Sequence, residues 1–440
     1  MKRDLYGELL AWKAAKTRKP LVLRGARQVG KTWLLKTFGK QEYRNCIYLN
    51  LEEDKRLSEF FQEKIDPITI LNKISLYLNI DIEPDDTLLI FDEIQESTAA
   101  LNSLKYFCEQ ANQFHIAAAG SLLGIKLGQT NGFPVGKVTF LDLYPLSFFE
   151  FLSAIKQEKL RDYLQQFGSQ ETWEIISAPL HDELINLLKK YMVVGGMPEA
   201  VSEYIVKQDF SAVRKIQQDI LDAYALDFAK HAPKELVMKI TKVWESIPAQ
   251  LAKENKKFKW SDVQENARAR EFETTVEWLA DAGLIHRSYS VTTSRFPLSA
   301  YSEKSIFKMF LLDVGLLAAM SRLSAQIILQ GNELFTEFKG AFTENLVAQA
   351  LVANKYPLYY WASEGRAEID FLLEHVNNIS PLEVKSGISA KKKSLQVYVD
   401  KFHPTLVLRA SIMNLKKDGN LLNIPLYLLN QLTILLEHYH

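Results

Sequence analysis

One stretch of eight residues, GARQVGKT at positions 25–32, constrains the fold of this chain more than any other. A short apolar run, Pro20 to Leu23, comes before it, and the helical pattern WLLKTF follows it. The spacing G-x-x-x-x-G-K-T between a strand and a helix is typical of a loop whose backbone N–H groups surround phosphate. The N-terminus of the following helix adds a positive dipole that favours the same anion. The stretch therefore predicts a nucleotide-binding loop, and a chance glycine-rich turn is the alternative.

Each residue type in this loop has an expected task. Lys31 would reach the β- and γ-phosphates during catalysis, and the Thr32 hydroxyl would ligate Mg²⁺. A further strand-like run, Phe114 to Gly120, ends at Ser121, which either senses the γ-phosphate or begins a helix. The residues expected to bind the nucleotide are Gly25, Ala26, Arg27, Gln28, Val29, Gly30, Lys31, Thr32, Trp33 and Ser121.

Another apolar run, Thr87 to Phe91, ends in two carboxylates, Asp92 and Glu93. In open parallel sheets, ligands bind at the carboxyl ends of the strands. We expect Asp92 to hold Mg²⁺, directly or through water, and Glu93 to orient or deprotonate the attacking water. The alternation of such strands with helical stretches predicts an α/β fold with a parallel sheet.

Composition limits the remaining possibilities. A chain of 440 residues exceeds one ordinary core, so two or three domains are expected. The 53 basic and 53 acidic residues balance, which argues against a general coating of nucleic acid but not against a local basic face. Two cysteines, a charged N-terminus without an apolar signal segment, and the lack of any run of about 18 apolar residues predict a cytoplasmic protein without a membrane span.

Several motifs together resemble a known family. GARQVGKT, TLLIFDEIQ, AAGSLLG and LYPLSFFEF, followed by YMVVGGMPEAV and FKMFLLDVGLL, are similar to AAA+ ATPases of the prokaryotic P-loop superfamily. The resemblance extends to the group whose C-terminal domain has no assigned function. It implies ATP and Mg²⁺ as cofactors, ATP hydrolysis, and the self-association that is common among such ATPases. One departure is Lys137, which stands where relatives often carry arginine and would lack the planar fork of an arginine finger.

After Glu150 the sequence becomes helix-rich and resembles the helical lid that follows the sheet in AAA+ proteins. Three helical patterns from Val237 onward and a strand-like run at Gly283 predict a winged-helix unit. Its basic residues either contact nucleic-acid phosphate or form a solvated helical face, and winged helices also bind proteins. These basic residues are Lys253, Lys256, Lys257, Lys259, Arg268 and Arg270.

Near the end of the chain, charged residues stand inside two apolar runs that predict a β-hairpin. The runs are Glu368 to Val376 and Ile379 to Lys385. We expect Asn377 and Asn378 to form a two-residue turn between them, since asparagine tolerates the left-handed conformation that such turns require.

This register places Asp370 opposite Lys385 and Glu383 opposite Leu372. Asp370, Glu383 and Lys385 then project from one face of the hairpin. Two neighbouring carboxylates repel each other unless a cation, a proton or a basic side chain intervenes. In one possible arrangement, Asp370 and Glu383 hold Mg²⁺ while Lys385 positions the attacking water. In the other, Asp370 and Lys385 form a cross-strand ion pair without metal.

An acid in the preceding helical stretch, Glu344, completes a second resemblance. A helix with Glu, a strand with Asp and a strand with E-x-K are similar to the PD-(D/E)XK nuclease core. The resemblance implies Glu344, Asp370, Glu383 and Lys385 as catalytic candidates, with Asp370 and Glu383 as metal ligands. It leaves cleavage and binding without cleavage as alternatives.

The expected architecture is an α/β P-loop sheet with helices, a helical and winged-helix connector, and a C-terminal α/β domain like those of restriction endonucleases. We place these domains at residues 1–155, 156–230, 231–310 and 311–440. The expected function is Mg²⁺-dependent ATP hydrolysis coupled to a nuclease-like domain that acts on nucleic acid. The alternative is a nucleotide-gated protein-interaction switch with an inactive nuclease-like platform.

Overall fold

The structure is a computed structural model that describes residues 1–62, 66–121, 136–167, 175–253, 256–330, 336–363, 367–386 and 393–439. The chain divides into two compact units. The N-terminal unit comprises Lys2–Tyr144 with Asp281–Gly283. The C-terminal unit comprises Met1, Pro145–Ala280 and Leu284–His440.

The N-terminal unit is built on a parallel sheet. Its strands are β1 (Leu21–Gly25), β2 (Asn45–Asn50), β3 (Thr87–Asp92), β4 (His115–Ser121) and β5 (Thr139–Asp142). They lie in the order β2-β3-β4-β1-β5, and every neighbouring pair is parallel. The predicted parallel α/β sheet is therefore confirmed, and its carboxyl edge receives the ends of β1, β3 and β4.

Helices flank this sheet. They are α1 (Tyr6–Ala14), α2 (Lys31–Glu42), α3 (Pro67–Leu78) and α4 (Thr98–Gln110). Ser97 caps α4 by accepting the backbone N–H of Ala100, as its position before an amphipathic stretch favours. Gly39 lets α2 lie close to β2, because a Cβ at this position would come within 2.3 Å of the Cys46 Sγ.

Helices form most of the first half of the C-terminal unit and continue between its strands. The helices after residue 145 are α5 (Phe148–Ala154), α6 (Glu158–Gln166), α7 (Ala178–Val194), α8 (Pro198–Lys207), α9 (Phe210–His231), α10 (Lys234–Leu251), α11 (Ala269–Asp281), α12 (Val314–Met320), α13 (Ala325–Gln330), α14 (Thr336–Ala353), α15 (Lys393–Phe402) and α16 (Leu432–Tyr439). Among the described residues, no helix is both long and apolar enough to cross a membrane.

A mixed sheet organises the rest of this unit. Its strands are β6 (Ile285–Val291), β7 (Ser302–Leu311), β8 (Tyr359–Ser363), β9 (Ala367–His375), β10 (Asn378–Val384), β11 (Val407–Ser411), β12 (Lys416–Asp418) and β13 (Leu421–Pro425). The spatial order is β12-β13-β11-β10-β9-β8-β6-β7. The pairs β8–β9 and β9–β10 are antiparallel, whereas β10 and β11 are parallel.

The β6–β7 hairpin follows α10 and α11 in the order that the winged-helix prediction requires, but it belongs to the mixed sheet. β6 pairs in parallel with β8, from Tyr289 opposite Tyr359 to Val291 opposite Trp361. The predicted domain boundary at residues 310/311 falls inside β7. The mixed sheet therefore includes β6 and most of β7, which lie within the predicted connector.

A buried junction links the segments YMVVGGMPEAV and FKMFLLDVGLL. The Asp313 carboxylate accepts the backbone N–H of Gly196 at 2.6 Å and that of Leu316 at 2.9 Å. Gly195 has a φ of 73°, and a Cβ there would lie 2.2 Å from the Asp313 Oδ1. Glycine is therefore required at this contact by both its conformation and its size.

Candidate functional site

The glycine-rich loop connects β1 to α2 at the carboxyl edge of the N-terminal sheet. A Cβ on Gly25 would lie 2.3 Å from the carbonyl oxygen of Leu143, so only glycine fits there. Gly30 has a φ of 95°, and Gln28 is also left-handed with a φ of 64°. These two residues turn the chain so that the loop leads directly into the N-terminus of α2.

Lys31 is the first residue of α2, and its ammonium group lies inside the loop. The side chain is buried, with 7% of its surface exposed, and its Nζ donates to the carbonyl oxygens of Gly25 at 3.0 Å and Ala26 at 2.8 Å. Burial lowers the pKa of Lys31 to about 8, although the negative charges of Glu93 and Asp92 oppose this effect. The hydrogen-bond partners of this cation are neutral, so its charge is available to an anion in the loop.

Thr32 and Asp92 meet at the end of β3. The Thr32 Oγ1 donates to the Asp92 Oδ2 at 2.7 Å, and the Tyr48 hydroxyl donates to the same oxygen at 2.9 Å. A hydroxyl and a carboxylate side by side are oxygen donors of the type that Mg²⁺ prefers. Sequence reasoning missed Tyr48, which lies two residues before the end of β2, the strand next to β3.

Glu93 follows Asp92 with a left-handed backbone, at a φ of 49°. Its carboxylate accepts a hydrogen bond from the Gln95 side-chain amide at 2.5 Å. Ser121 is the last residue of β4 and lies opposite Gly25 in the ladder between β1 and β4. The structure thus brings Glu93 and Ser121 to the same sheet edge as the loop.

The remaining predicted loop residues differ in exposure. Ala26 and Val29 are buried, whereas 47% of Trp33 is exposed. The Arg3 guanidinium, which sequence reasoning missed, donates to the carbonyl of Val29 at 2.8 Å and so braces the loop. Lys137, which stands where relatives often carry arginine, forms an ion pair with Glu109 at 2.9 Å.

The second group of predicted residues lies in the C-terminal unit, around Lys308, a cation that sequence reasoning missed. Glu344 comes from α14 and Asp370 from β9, and both surround Lys308 of β7. The Lys308 Nζ lies 3.9 Å from the Glu344 Oε2 and 3.9 Å from the Asp370 Oδ1, and it forms an ion pair with Glu368. Lys256 forms a further ion pair with Glu344.

Burial and neighbouring charges shift the pKa of Lys308 and that of Asp370. Burial alone would lower the pKa of Lys308, but the carboxylates of Glu344, Glu368 and Asp370 together raise it above its ordinary value. Burial raises the pKa of Asp370 to about 7, the charge of Glu344 adds to this, and Lys308 opposes it. The cluster therefore keeps its lysine charged.

The predicted register of the hairpin is wrong by two residues. His375 lies opposite Asn378 and Phe371 opposite Leu382, and continuing this register places Glu383 level with Asp370. The turn consists of Val376 and Asn377, which have φ values of 39° and 66°, instead of Asn377 and Asn378. A shift of two leaves each side chain on its expected face, because the strand period is two.

Lys385 lies beside Glu383 instead of opposite Asp370. Its Nζ is 2.6 Å from the Glu383 Oε1, while the Asp370 Oδ2 accepts the backbone N–H of Val384 at 2.8 Å. Within the described ranges, no three carboxylate, histidine or cysteine side chains converge as a metal site would require. The acids lie beside the ammonium groups of Lys256, Lys308 and Lys385.

The predicted basic patch is partly neutralised inside its own unit. Lys253 pairs with Asp262 at 2.8 Å, and Lys256 pairs with Glu344. Lys259, Arg268 and Arg270 are exposed. Two of the cations expected to reach nucleic acid are therefore held by carboxylates of the C-terminal unit.

Comparison with known families supports the division between the two units. Residues 17–152 match the family described as AAA domain. Residues 185–327 and 339–429 match two families, each described as a domain of unknown function, DUF8612 and DUF4143. A search of curated proteins found no match.

Several solved structures match the chain at low sequence identity. The Walker-type ATPase paby2304 of Pyrococcus abyssi is 13% identical, with a TM-score of 0.44, and the match covers 72% of this chain and 95% of that chain. The ORC1 protein of Aeropyrum pernix in complex with DNA is 12% identical, with a TM-score of 0.30 and coverages of 72% and 90%. RuvB of Thermotoga maritima is 15% identical, with a TM-score of 0.29 and coverages of 67% and 89%. All three TM-scores are below 0.5, so the assignment of an AAA domain rests on the family match and the site geometry.

Proposed function

We propose that the N-terminal unit binds ATP with Mg²⁺ and hydrolyses the ATP. The observation that carries this proposal is the ammonium group of Lys31, which is buried in the loop and, among the residues that the structure describes, donates its hydrogen bonds to two neutral carbonyls. A phosphate would supply the missing counter-charge. Thr32 and Asp92 would hold Mg²⁺, which when bound neutralises charge on the phosphates.

Two further residues of this sheet edge receive roles under the proposal. Glu93 orients the attacking water and accepts its proton, and the hydrogen bond from Gln95 fixes the direction of its carboxylate. Ser121 is placed beside the loop, where its hydroxyl would sense the γ-phosphate.

The test compares ATP binding with ATP hydrolysis in two variants. Glu93→Gln keeps ATP affinity but lowers the hydrolysis rate about a hundredfold, in the range typical of a lost general base. Glu96→Gln, an exposed acid on the same turn, is the matched control and leaves both unchanged. Equal rates in the two variants would overturn the role of Glu93.

For the C-terminal unit, we propose a nuclease-like domain that acts on nucleic acid. Its elements run α14, β8, β9, β10, α15, β11, with three antiparallel strands followed by a parallel one. This order resembles the PD-(D/E)XK core, and it places Glu344, Asp370 and Glu383 on adjacent elements. One oxygen each of Glu344 and Glu383 is buried without a hydrogen-bond partner in the described part of the chain.

A specific observation favours a second function for this unit. Lys308 is fully buried among Glu344, Glu368 and Asp370, so these acids carry their own counter-charge. This arrangement weighs against a divalent metal between Glu344 and Asp370, because the ammonium group of Lys308 already compensates part of their negative charge. The second proposal is therefore a nucleotide-gated switch in which the nuclease-like domain is a platform for a protein partner.

A cleavage assay separates the two proposals. Purified protein is incubated with DNA and RNA, with Mg²⁺ or Mn²⁺, and with or without ATP. Under the nuclease proposal, Asp370→Asn abolishes cleavage and leaves ATP hydrolysis intact, while Asp418→Asn on the exposed strand β12 changes neither. Under the platform proposal, the unaltered protein cleaves nothing.

We also propose domain boundaries at residues 155/156, 230/231 and 310/311. The proposal further includes a cytoplasmic location and self-association of the chain. The mixed sheet supports moving the last boundary to the start of β6. Sedimentation velocity with and without ATP tests self-association, and an unchanged monomer under both conditions would contradict it.

A further inference from the structure

A cleft lies between α2 and β2, on the edge strand of the N-terminal sheet. Its volume is about 460 Å³, which is within the range of ligand pockets. The residues that line it are Lys36, Gly39, Lys40, Tyr43, Arg44, Cys46 and Tyr48.

The lining contains cations and no carboxylate. Lys40 and Arg44 are exposed, and Lys36 is half-buried with its Nζ 3.3 Å from the centre of the Tyr48 ring. Among the residues that the structure describes, none of these three cations forms an ion pair. The nearby Lys13, by contrast, is paired with Glu42. The cleft therefore has a local positive charge in a chain whose formal net charge is zero.

We propose that this cleft binds the phosphodiester backbone of nucleic acid. Lys36 and Lys40 are one helical turn apart, about 6 Å along the axis of α2, and Arg44 continues the row beyond the end of the helix. A row of cations suits a chain of phosphates better than one small anion, since each phosphate finds its own partner. Two of the three cations are exposed, so a long chain has access to them.

The cleft is connected to the nucleotide site by two contacts. Lys36 lies on the ring of Tyr48, and the Tyr48 hydroxyl donates to the Asp92 Oδ2, the oxygen that also accepts from Thr32. A phosphate that draws Lys36 away from the ring changes the environment of the hydroxyl that holds Asp92. Binding in the cleft is independent of the proposed ATP hydrolysis, whereas coupling between the two sites rests on it.

The first test measures the affinity of a fluorescein-labelled single-stranded 20-nucleotide DNA by anisotropy, over a series of salt concentrations. Lys40→Ala combined with Arg44→Ala weakens binding at least tenfold and lowers the slope of log affinity against log salt by about 1.4. The matched control combines Lys16→Ala with Lys105→Ala, which removes the same charge from exposed positions of the same unit. Equal losses in the two double variants would overturn the site.

The second test uses the two cysteines as reporters. Cys46 lines the cleft, while Cys108 lies on α4 and is similarly half-buried. The 20-nucleotide DNA slows alkylation of Cys46 by N-ethylmaleimide at least threefold and leaves Cys108 unaffected. Protection of Cys46 by inorganic tripolyphosphate alone would show a small-anion site and overturn the nucleic-acid assignment, as would no protection by either probe.

The third test concerns the coupling. In the unaltered protein the same DNA changes the ATP hydrolysis rate at least twofold. In Tyr48→Phe the ratio of the rate at saturating DNA to the rate without DNA falls to about one, because the hydroxyl that links the cleft to Asp92 is removed. A protein that protects Cys46 yet hydrolyses no ATP would contradict the proposed function and leave the cleft standing. A protein that hydrolyses ATP but does not bind the DNA would contradict the cleft alone.

Discussion

Two buried lysines, one in each unit, show how different surroundings give the same side chain different tasks. Lys31 and Lys308 are 7% and 0% exposed. Lys31 donates to two neutral carbonyls, and burial lowers its pKa to about 8. Lys308 lies among three carboxylates, whose charges outweigh burial and raise its pKa.

The difference lies in where each cation finds its counter-charge. Lys31 donates its hydrogen bonds to neutral carbonyls and has only the more distant charges of Asp92 and Glu93 near it within the described chain, so its ammonium group can also bind a ligand anion. Lys308 has its anions within the chain, so its charge stabilises the unit that contains it. A buried lysine therefore indicates a ligand site only when its partners are neutral, and the effects of substitution should separate the two cases.

The largest expected effect is on stability at Lys308. Lys308→Met leaves Glu344, Glu368 and Asp370 close together without their shared cation, and breaking a buried ion pair in this way costs about 3–5 kcal/mol. Urea unfolding of the C-terminal unit, followed by tryptophan fluorescence, measures the loss. Lys304→Met, an exposed residue of the same strand, is the control and changes the free energy of unfolding by less than about 0.5 kcal/mol.

A stability of Lys308→Met equal to that of the control would break the comparison, since Lys308 would then not be the counter-charge of these acids. Combining Lys308→Met with Glu344→Gln should recover part of the loss, because one of the uncompensated carboxylates is removed with the cation.

Asp313 extends the comparison of the two lysines to a buried carboxylate. Its hydrogen-bond donors are backbone N–H groups and not a lysine. Burial raises its pKa from 3.8 to about 6, which the hydrogen bonds only partly oppose. Folding therefore favours the protonated form, so the contribution of Asp313 to the free energy of unfolding is largest below pH 4 and is lost as pH rises through about 6. The difference between the two pKa values corresponds to about 3 kcal/mol.

The variant Asp313→Asn does not titrate at this position. The free energy of unfolding of the unaltered protein, minus that of Asp313→Asn, should therefore decrease between pH 4 and pH 7. Urea titrations at several pH values measure it, with the exposed Asp400→Asn as control. A difference that is constant with pH would contradict the raised pKa of Asp313.

The third prediction is that substituting Lys31 lowers the rate of ATP hydrolysis but hardly changes the free energy of unfolding. Lys31→Ala lowers ATP hydrolysis about a hundredfold, equivalent to about 2.7 kcal/mol, because one electrostatic contact to the transferred phosphate is lost. The free energy of unfolding changes by less than about 1 kcal/mol, since no carboxylate is left without a partner. A stability loss as large as that of Lys308→Met would remove the distinction between the two lysines.

The smallest effect distinguishes two ion pairs of the predicted basic patch. Lys256 and Glu344 are mostly buried, whereas Lys253 is exposed beside Asp262. Lys256→Ala should lower the free energy of unfolding by about 1 kcal/mol, and Lys253→Ala by less than about 0.5 kcal/mol. Urea unfolding under the same conditions compares them, and a larger loss for Lys253→Ala would contradict the burial difference.

The arrangement of residues at the proposed nucleotide site was predictable from the sequence because its parts are local. The spacing from Gly25 to Thr32 and the apolar run ending in Asp92 are each read from a few consecutive residues. Tyr48 and Arg3 were not predictable in this way. Their contacts to Asp92 and Val29 join residues 44 and 26 positions apart and depend on which strands and helices are neighbours.

The C-terminal cluster was less predictable, for two physical reasons. The hairpin turn includes Val376 at a φ of 39°, a conformation that a β-branched residue rarely adopts, so the asparagine pair was the better expectation from the sequence. Lys308 stands between Phe307 and Met309 in an apolar run. That position was a signal of a buried charge, but its partners on α14 and β9 lie far along the chain.

The place of Lys308 on β7 has a consequence for anyone who wishes to produce the C-terminal sheet as a separate fragment. A fragment starting at residue 311 would contain Glu344, Glu368 and Asp370 but would lack both Lys308 and Lys256. Glu344, Glu368 and Asp370 would then lack the lysines that lie beside them in the whole chain. A fragment that keeps both lysines beside these acids must begin before Lys256. The shortest fragment expected to fold is therefore determined by these ion pairs as well as by the order of the strands.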